Sequence, residues 1–176
     1  MKKILMIICG AIIFLNSCKK TVNETVAGSN TLLLAYPSGT IFNTLSSGLN
    51  YFNNSLLTFK LTDAIDTLNV SANIGIPASK DLTVTIGVDQ NAFAAYNANT
   101  SNTVKYAAMP TTYYTIAINS VTIKAGQTNA VFKIAFYPSL FDNSQSGYLL
   151  PLSITNDPGY AVNSSMKTVY FHINQK

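Results

Sequence analysis

The sequence predicts an all-β fold, an immunoglobulin-like β-sandwich of seven to nine strands with one short helix. Three observations predict it. Several stretches alternate apolar and polar residues with a period of two, as a half-buried strand requires. Turn signals rich in Gly, Pro, Asn and Asp separate them at short intervals. One alanine-rich stretch alone breaks the period.

Taken in order, "TLLLAY" and "LLTFKL" are the first, weaker strand candidates. "LNVSANIGI" places Leu68, Val70, Ala72, Ile74 and Ile76 on one face. "DLTVTIGVD" is the cleanest case, with Leu82, Val84, Ile86 and Val88 opposite Asp81, Thr83, Thr85, Gly87 and Asp89. "DQNAFAAYNAN", residues 89 to 99, predicts a short helix capped by Asp89, with Phe93 and Tyr96 three apart. "YYTIAI" is a further weak strand. "IKAGQTNAVF" predicts a turn around Gly126, and "AVFKIAFY" turns Phe132, Ile134 and Phe136 inward with Lys133 outward. "YLLPLSI" alternates Tyr148, Leu150, Leu152 and Ile154; Pro151 lacks an N–H, which predicts an edge or bulged strand. "TVYFHI" closes the fold with Val169, Phe171 and Ile173 inward, and His172 facing solvent or a partner sheet.

The N-terminus carries an address. Met1-Lys2-Lys3 precedes "ILMIICGAIIFL", an uncharged run from Ile4 to Leu15. That suits the apolar core of a signal peptide and is too short for a ~30 Å hydrocarbon layer. "LNSC" follows, with Leu15 at −3, Ser17 at −1 and Cys18 at +1, and resembles the lipobox of bacterial lipoproteins. Asn16 stands where a smaller residue is commoner. The resemblance implies cleavage before Cys18, diacylglycerol on its sulfur and acylation of its new amine. Two or three acyl chains anchor firmly, since each buried CH₂ contributes about 0.8 kcal/mol. Three segments are expected: a signal peptide over 1–17, a lipidated Cys18 with a flexible tether over 18–30, and a β-sandwich domain over 31–176. The tether would reach about 20 Å. The absence of an aspartate after Cys18 favours the outer membrane, and the basic "CKKTVNE" leaves both the periplasmic face and the cell surface open.

Composition narrows the function classes. Cys9 leaves with the signal peptide and Cys18 is consumed by lipid, so the expected mature chain holds neither free thiol nor disulfide. Loss of Lys2 and Lys3 brings the net charge from +4 to +2. All basic side chains are lysines. Nucleic-acid recognition calls for clustered Lys and Arg, so no nucleic-acid partner is expected.

Dispersed motifs carry a resemblance. "VSANIGIPASKDLTVTIGVDQNAFAAYN", "YAAMPTTYYTI", "VTIKAGQTNAVFKIAF" and "YLLPLSI" are similar to a domain found near the N-terminus of Bacteroidota lipoproteins, domain of unknown function seventeen thirty-five. The similarity spans about residues 31 to 175. It implies an anchored protein associated with polysaccharide-utilisation loci. It implies no catalytic residues.

Chemistry in the sequence is sparse. Glycoside hydrolysis needs two carboxylates facing one cleft. Glu24 sits in the tether, and Asp63, Asp66, Asp81, Asp89, Asp142 and Asp157 sit at strand ends and turns such as "NDPG", where aspartate serves the backbone. His172, the single histidine, supports neither a zinc set nor a Ser-His-Asp triad. No enzyme, metal or cofactor is expected. Sugar rings stack on aromatic faces, which makes Tyr51, Tyr106, Tyr113 and Tyr114 the candidate ligand residues. Adjacent strand residues face opposite ways, so one of Tyr113 and Tyr114 is expected to point outward. "DTL" resembles the Bacteroidota O-glycosylation motif and marks Thr67 as a candidate. Two functions remain: a binding or accessory module in polysaccharide capture, or a structural module pairing its edge strands with another cell-envelope protein.

Overall fold

The computed structural model describes residues 31–35, 54–164 and 166–175. The described chain forms two β-sheets packed face to face, with a helix on the outside of one. Ten strands contribute: β1 (Leu33–Ala35), β2 (Asn54–Phe59), β3 (Asp66–Asn73), β4 (Leu82–Val88), β5 (Ala107–Ala108), β6 (Tyr114–Ile116), β7 (Ser120–Ile123), β8 (Asn129–Phe136), β9 (Tyr148–Ile154) and β10 (Thr168–Gln175). The count passes seven to nine by one because β5, two residues long, is too short to show a period; β6 lies within the weak candidate "YYTIAI". The four-stranded sheet runs β1-β3-β8-β6, and the six-stranded sheet runs β2-β10-β9-β4-β7 with β5 beside β9. β2 joins β10 in parallel, as β5 joins β9; the other pairings are antiparallel.

Alternation decides which side chains enter the core. On β4, Leu82, Val84 and Ile86 are buried, and on β8 so are Phe132, Ile134 and Phe136. Val169, Phe171 and Ile173 of β10, in the same sheet as β4, join its residues in facing those of β8 from across the core. Phe136 and Phe171 meet across the layers at 6.4 Å, and Phe59 packs on Phe136 at 4.9 Å. Fully burying a side chain of this size contributes about 1.5–3 kcal/mol. Both cysteines precede residue 31, so this core rather than a disulfide holds the described fold. Ile76 departs from its expected place: β3 ends at Asn73, and Ile76 is 44% exposed.

β9 departs from the expectation of an edge strand. It lies inside the six-stranded sheet, and every residue of it is buried. The reason is local. Gly147, Leu149 and Pro151 turn their carbonyls to the same side, where Ala107, Met109 and Asp89 donate their N–H groups. Pro151 therefore aims its missing N–H into the gap between β5 and the end of β4, where β4 has already given way to the helix. No ladder bond is lost there, so proline is tolerated in an interior strand.

The helix, α1 (Gln90–Ala98), begins as expected at Asp89, whose Oδ1 accepts the Ala92 N–H at 2.9 Å. Its Tyr96 lies over the outer face of the six-stranded sheet. The turn around Gly126 also appears, with φ at +81°, a conformation glycine adopts without Cβ strain. It carries the chain from β7 in one sheet to β8 in the other. No helix among the described residues is long and apolar enough to cross a membrane.

Candidate functional site

Cys18 and Tyr51 lie outside the described residues. The structure does not gather the remaining tyrosine candidates into one site. Tyr106 is 6% exposed. The side chain of Asn97 on α1 clamps its backbone, donating to the Tyr106 carbonyl at 2.9 Å and accepting its N–H at 3.2 Å. The Tyr106 ring sits 5.1 Å from His172 and 5.9 Å from Tyr96. It is core beneath the helix rather than a ligand platform, and burial, then the neighbouring Tyr96, pushes its phenol up to about 12. Tyr113 and Tyr114 are both half-buried instead of one pointing outward. Tyr113 lies in a 3₁₀ turn, so strand alternation does not apply to it, and its ring packs on Phe141 and Tyr148 at 5.4 and 5.5 Å. Thr67 is exposed on β3, its N–H held by Asp66 Oδ1 at 2.7 Å.

His172 faces neither solvent nor a partner sheet. Helix α1 covers it; the residue is 1% exposed, with Tyr96 5.1 Å away. Burial lowers its pKa to about 4, so the imidazole is neutral at pH 7. Four residues away along β10, at Thr168, runs a polar chain. Ser153 donates to Asp89 Oδ2 at 2.7 Å, and its oxygen meets the Thr168 hydroxyl at 2.6 Å. Ser153 has one proton, so Thr168 is the donor in the second bond. Burial pushes the Asp89 carboxyl up, but hydrogen bonds from Ala92, Ser153 and Asn91, with the charge of Lys167, outweigh it and hold the pKa below its ordinary value.

Among the described residues a concave site lies elsewhere, where the β3–β4 and β9–β10 connections meet. An open cleft of about 550 Å³ is lined by Thr31, Ser79, Lys80, Gly159, Tyr160 and Ala161. Ligand pockets commonly hold ~300–1,000 Å³ and combine an apolar surface with a few placed polar groups. Local chemistry builds both walls. Asn156 ties the first to β4, accepting the Thr85 N–H and donating to the Thr83 carbonyl, each at 2.8 Å. Asp157 Oδ1 accepts the Gly159 N–H at 2.9 Å, and Gly159 turns the chain with φ at +71°. Tyr160 is thereby directed across the gap. Leu32 secures the strand beyond it, donating to the Ala161 carbonyl at 2.8 Å.

The second wall is pinned at Ala78. This residue donates to the Gln127 carbonyl and accepts from the Gly126 N–H, both at 2.8 Å, so Ser79 and Lys80 project from a fixed point. The Ser79 N–H donates to the Tyr160 hydroxyl at 3.3 Å, and the two hydroxyls meet at 3.2 Å. These bonds, Ser79 Oγ first, lower the Tyr160 pKa, and Lys80 adds to the effect. Next to Lys80, Asp81 accepts from Lys124 Nζ at 2.7 Å and from the Ala125 N–H at 3.0 Å. Tyr160 was legible in the sequence only as the residue after the "NDPG" turn; in the fold it is half-buried, packed against the edge of the core.

A family model whose description ends "-like, N-terminal domain" matches residues 20–161. No curated protein matches the chain. Among solved structures, a candidate carbohydrate binding protein from Bacteroides ovatus has TM-score 0.61 at 11% identity, over 81% of this chain and 36% of its own. A multidomain protein including DUF1735 from Bacteroides ovatus has TM-score 0.59 at 17% identity, over 81% and 45%. An auxiliary nutrient binding protein from Bacteroides thetaiotaomicron has TM-score 0.53 at 18% identity, over 76% and 47%. The chain spans less than half the length of each of these proteins, and at such identity the likeness is one of fold. With most of its length matched by the family model, the chain belongs to this Bacteroidota N-terminal domain family.

Proposed function

We propose that the chain is a non-catalytic module for polysaccharide capture, held at the outer membrane through lipid on Cys18. The cleft between Ser79-Lys80 and Tyr160 is the observation that carries the reading. It offers an aromatic ring, two hydroxyls and an ammonium in a concavity open enough for a chain to lie through it. The fold is shared with a candidate carbohydrate binding protein and an auxiliary nutrient binding protein, which supports the same reading. Segments 1–17, 18–30 and 31–176 serve as signal peptide, anchored tether and binding domain.

The carboxylates favour binding over hydrolysis. Asp81 is engaged by Lys124, Asp89 by α1, Asp142 by Ser144 and Asp157 by Gly159. Electrophoresis of the full chain through native gels cast with plant, host and microbial polysaccharides tests the proposal. Retardation by at least one polymer, lost on Tyr160→Ala, is expected; free migration in every gel contradicts it. The exposed Thr67 hydroxyl is available for glycosylation, and a mass increase on its peptide from native cells would support that modification.

One observation favours the second reading, a pairing with another envelope protein. Ile65 and Leu140 are 57% and 54% exposed and flank the contact in which Ser139 donates to the Asp63 carbonyl. Stoichiometric co-purification from native membranes, lost on Leu140→Asp, would favour it.

A further inference from the structure

We propose that the Tyr160 cleft takes an acidic saccharide, with the Lys80 ammonium pairing the sugar's carboxylate or sulfate. This rests on the cleft being the binding site and adds the class of ligand. Among the described residues, two lysines stand near this end of the sandwich, and they differ in what they already hold. Lys124 is committed to Asp81 at 2.7 Å. Lys80 lines the cleft, and among the described residues it forms no ion pair. The acids next to the cleft are engaged: Asp81 holds Lys124 and the Ala125 N–H, and Asp157 Oδ1 holds the Gly159 N–H.

Among the described residues Lys80 is therefore the one cation that lines the cleft, and it has no carboxylate within ion-pair distance; Asp157 nearby keeps its negative charge but is turned to the Gly159 amide. The lysine ammonium is a compact charge on a flexible stem, which suits either a carboxylate or a sulfate. The neutral part of the site complements it. Tyr160 already accepts the Ser79 N–H, so its own proton is available to Ser79 Oγ or to a sugar oxygen, and its ring offers a face to the sugar body. A neutral sugar would use the ring and hydroxyls but leave the ammonium unpaired.

Affinity electrophoresis of the full chain separates the cases. The gels carry polygalacturonate as the carboxylate polymer, dextran sulfate as the sulfate polymer, and neutral xyloglucan and dextran. Expected is retardation by one or both acidic polymers. Lys80→Met should weaken it about tenfold, and raising salt from about 0.05 to about 0.5 M should weaken it too. Lys133→Met removes the same charge from an outward position on β8 and should leave binding unchanged. Retardation by polygalacturonate alone assigns the carboxylate; retardation by dextran sulfate alone assigns the sulfate. Retardation by neutral polymers only overturns this inference and leaves the binding function standing. Equal losses from Lys80→Met and Lys133→Met reduce the effect to net charge and overturn it as well. Retardation by none contradicts both readings.

Discussion

The Tyr160 hydroxyl accepts the Ser79 N–H at 3.3 Å, joining two turns 81 residues apart. One turn lies near the end of the β3–β4 connection and the other in the middle of the β9–β10 connection. The bond sets the width of the cleft between them. Removing the hydroxyl while keeping the ring, as in Tyr160→Phe, should leave the Ser79 amide to water. Hydrogen exchange at Ser79 is expected to quicken while amides of β4 and β9 keep their protection. Unchanged protection at Ser79 would show that the two turns hold their places without the bond.

His172 should make the fold acid-sensitive. Unfolded, its imidazole takes a proton below pH about 6.5; folded, only below about 4. Between those values the unfolded state binds the extra proton, so stability is full above pH 6.5 and falls as pH drops through the window. The loss is limited to roughly 3 kcal/mol. Urea denaturation at several pH values should show a slope that is shallower by about one proton in His172→Gln. Parallel curves for the two proteins would refute the assignment.

Asp89 should be worth more than a surface carboxylate, because it both caps α1 and accepts from Ser153. Asp89→Ala is expected to cost about 1–2 kcal/mol in chemical denaturation, the scale of a lost cap. Asp89→Asn keeps an acceptor for the Ala92 N–H and should cost less. The lowered pKa means that the carboxylate's contribution persists to acidic pH and is lost only as pH falls through that value. Equal stability of the alanine variant and the parent would contradict the role.

Gly147 should resist substitution. Its φ is +149°, and a Cβ there would stand 2.8 Å from the Ile173 carbonyl oxygen and 3.2 Å from the Tyr106 ring. Gly147→Ala forces either the β9–β10 pair or the aromatic cluster to move, at a cost of roughly 1–3 kcal/mol. A melting temperature equal to the parent's would show that this strand start is looser than described.

The strands with strict alternation were legible because half-burial prints a period of two into the chain, as in Leu82, Val84 and Ile86. The cap at Asp89 and the turn at Gly126 were legible for the same reason: each is a local requirement met by a local residue. Pro151 misled because its tolerance depends on where β4 ends, a fact held by the partner strand. His172 misled because a helix distant in sequence covers it, and Tyr106 because Asn97, nine residues before it, holds it beneath that same helix. The cleft was least visible. It is built by two connections far apart in the chain, and Tyr160 in isolation resembles any tyrosine after a turn. Only the contact with Ser79 distinguishes it.

The most direct test of the central claim is an amide-resolved NMR titration of the full chain with the polysaccharide fragment that retards it in gels. If the cleft is the binding site, saturable shifts should concentrate at Ser79, Lys80, Gly159, Tyr160 and Ala161, and Tyr160→Ala should abolish them. Saturable shifts centred on another face, unaffected by Tyr160→Ala, would place binding elsewhere and contradict the account.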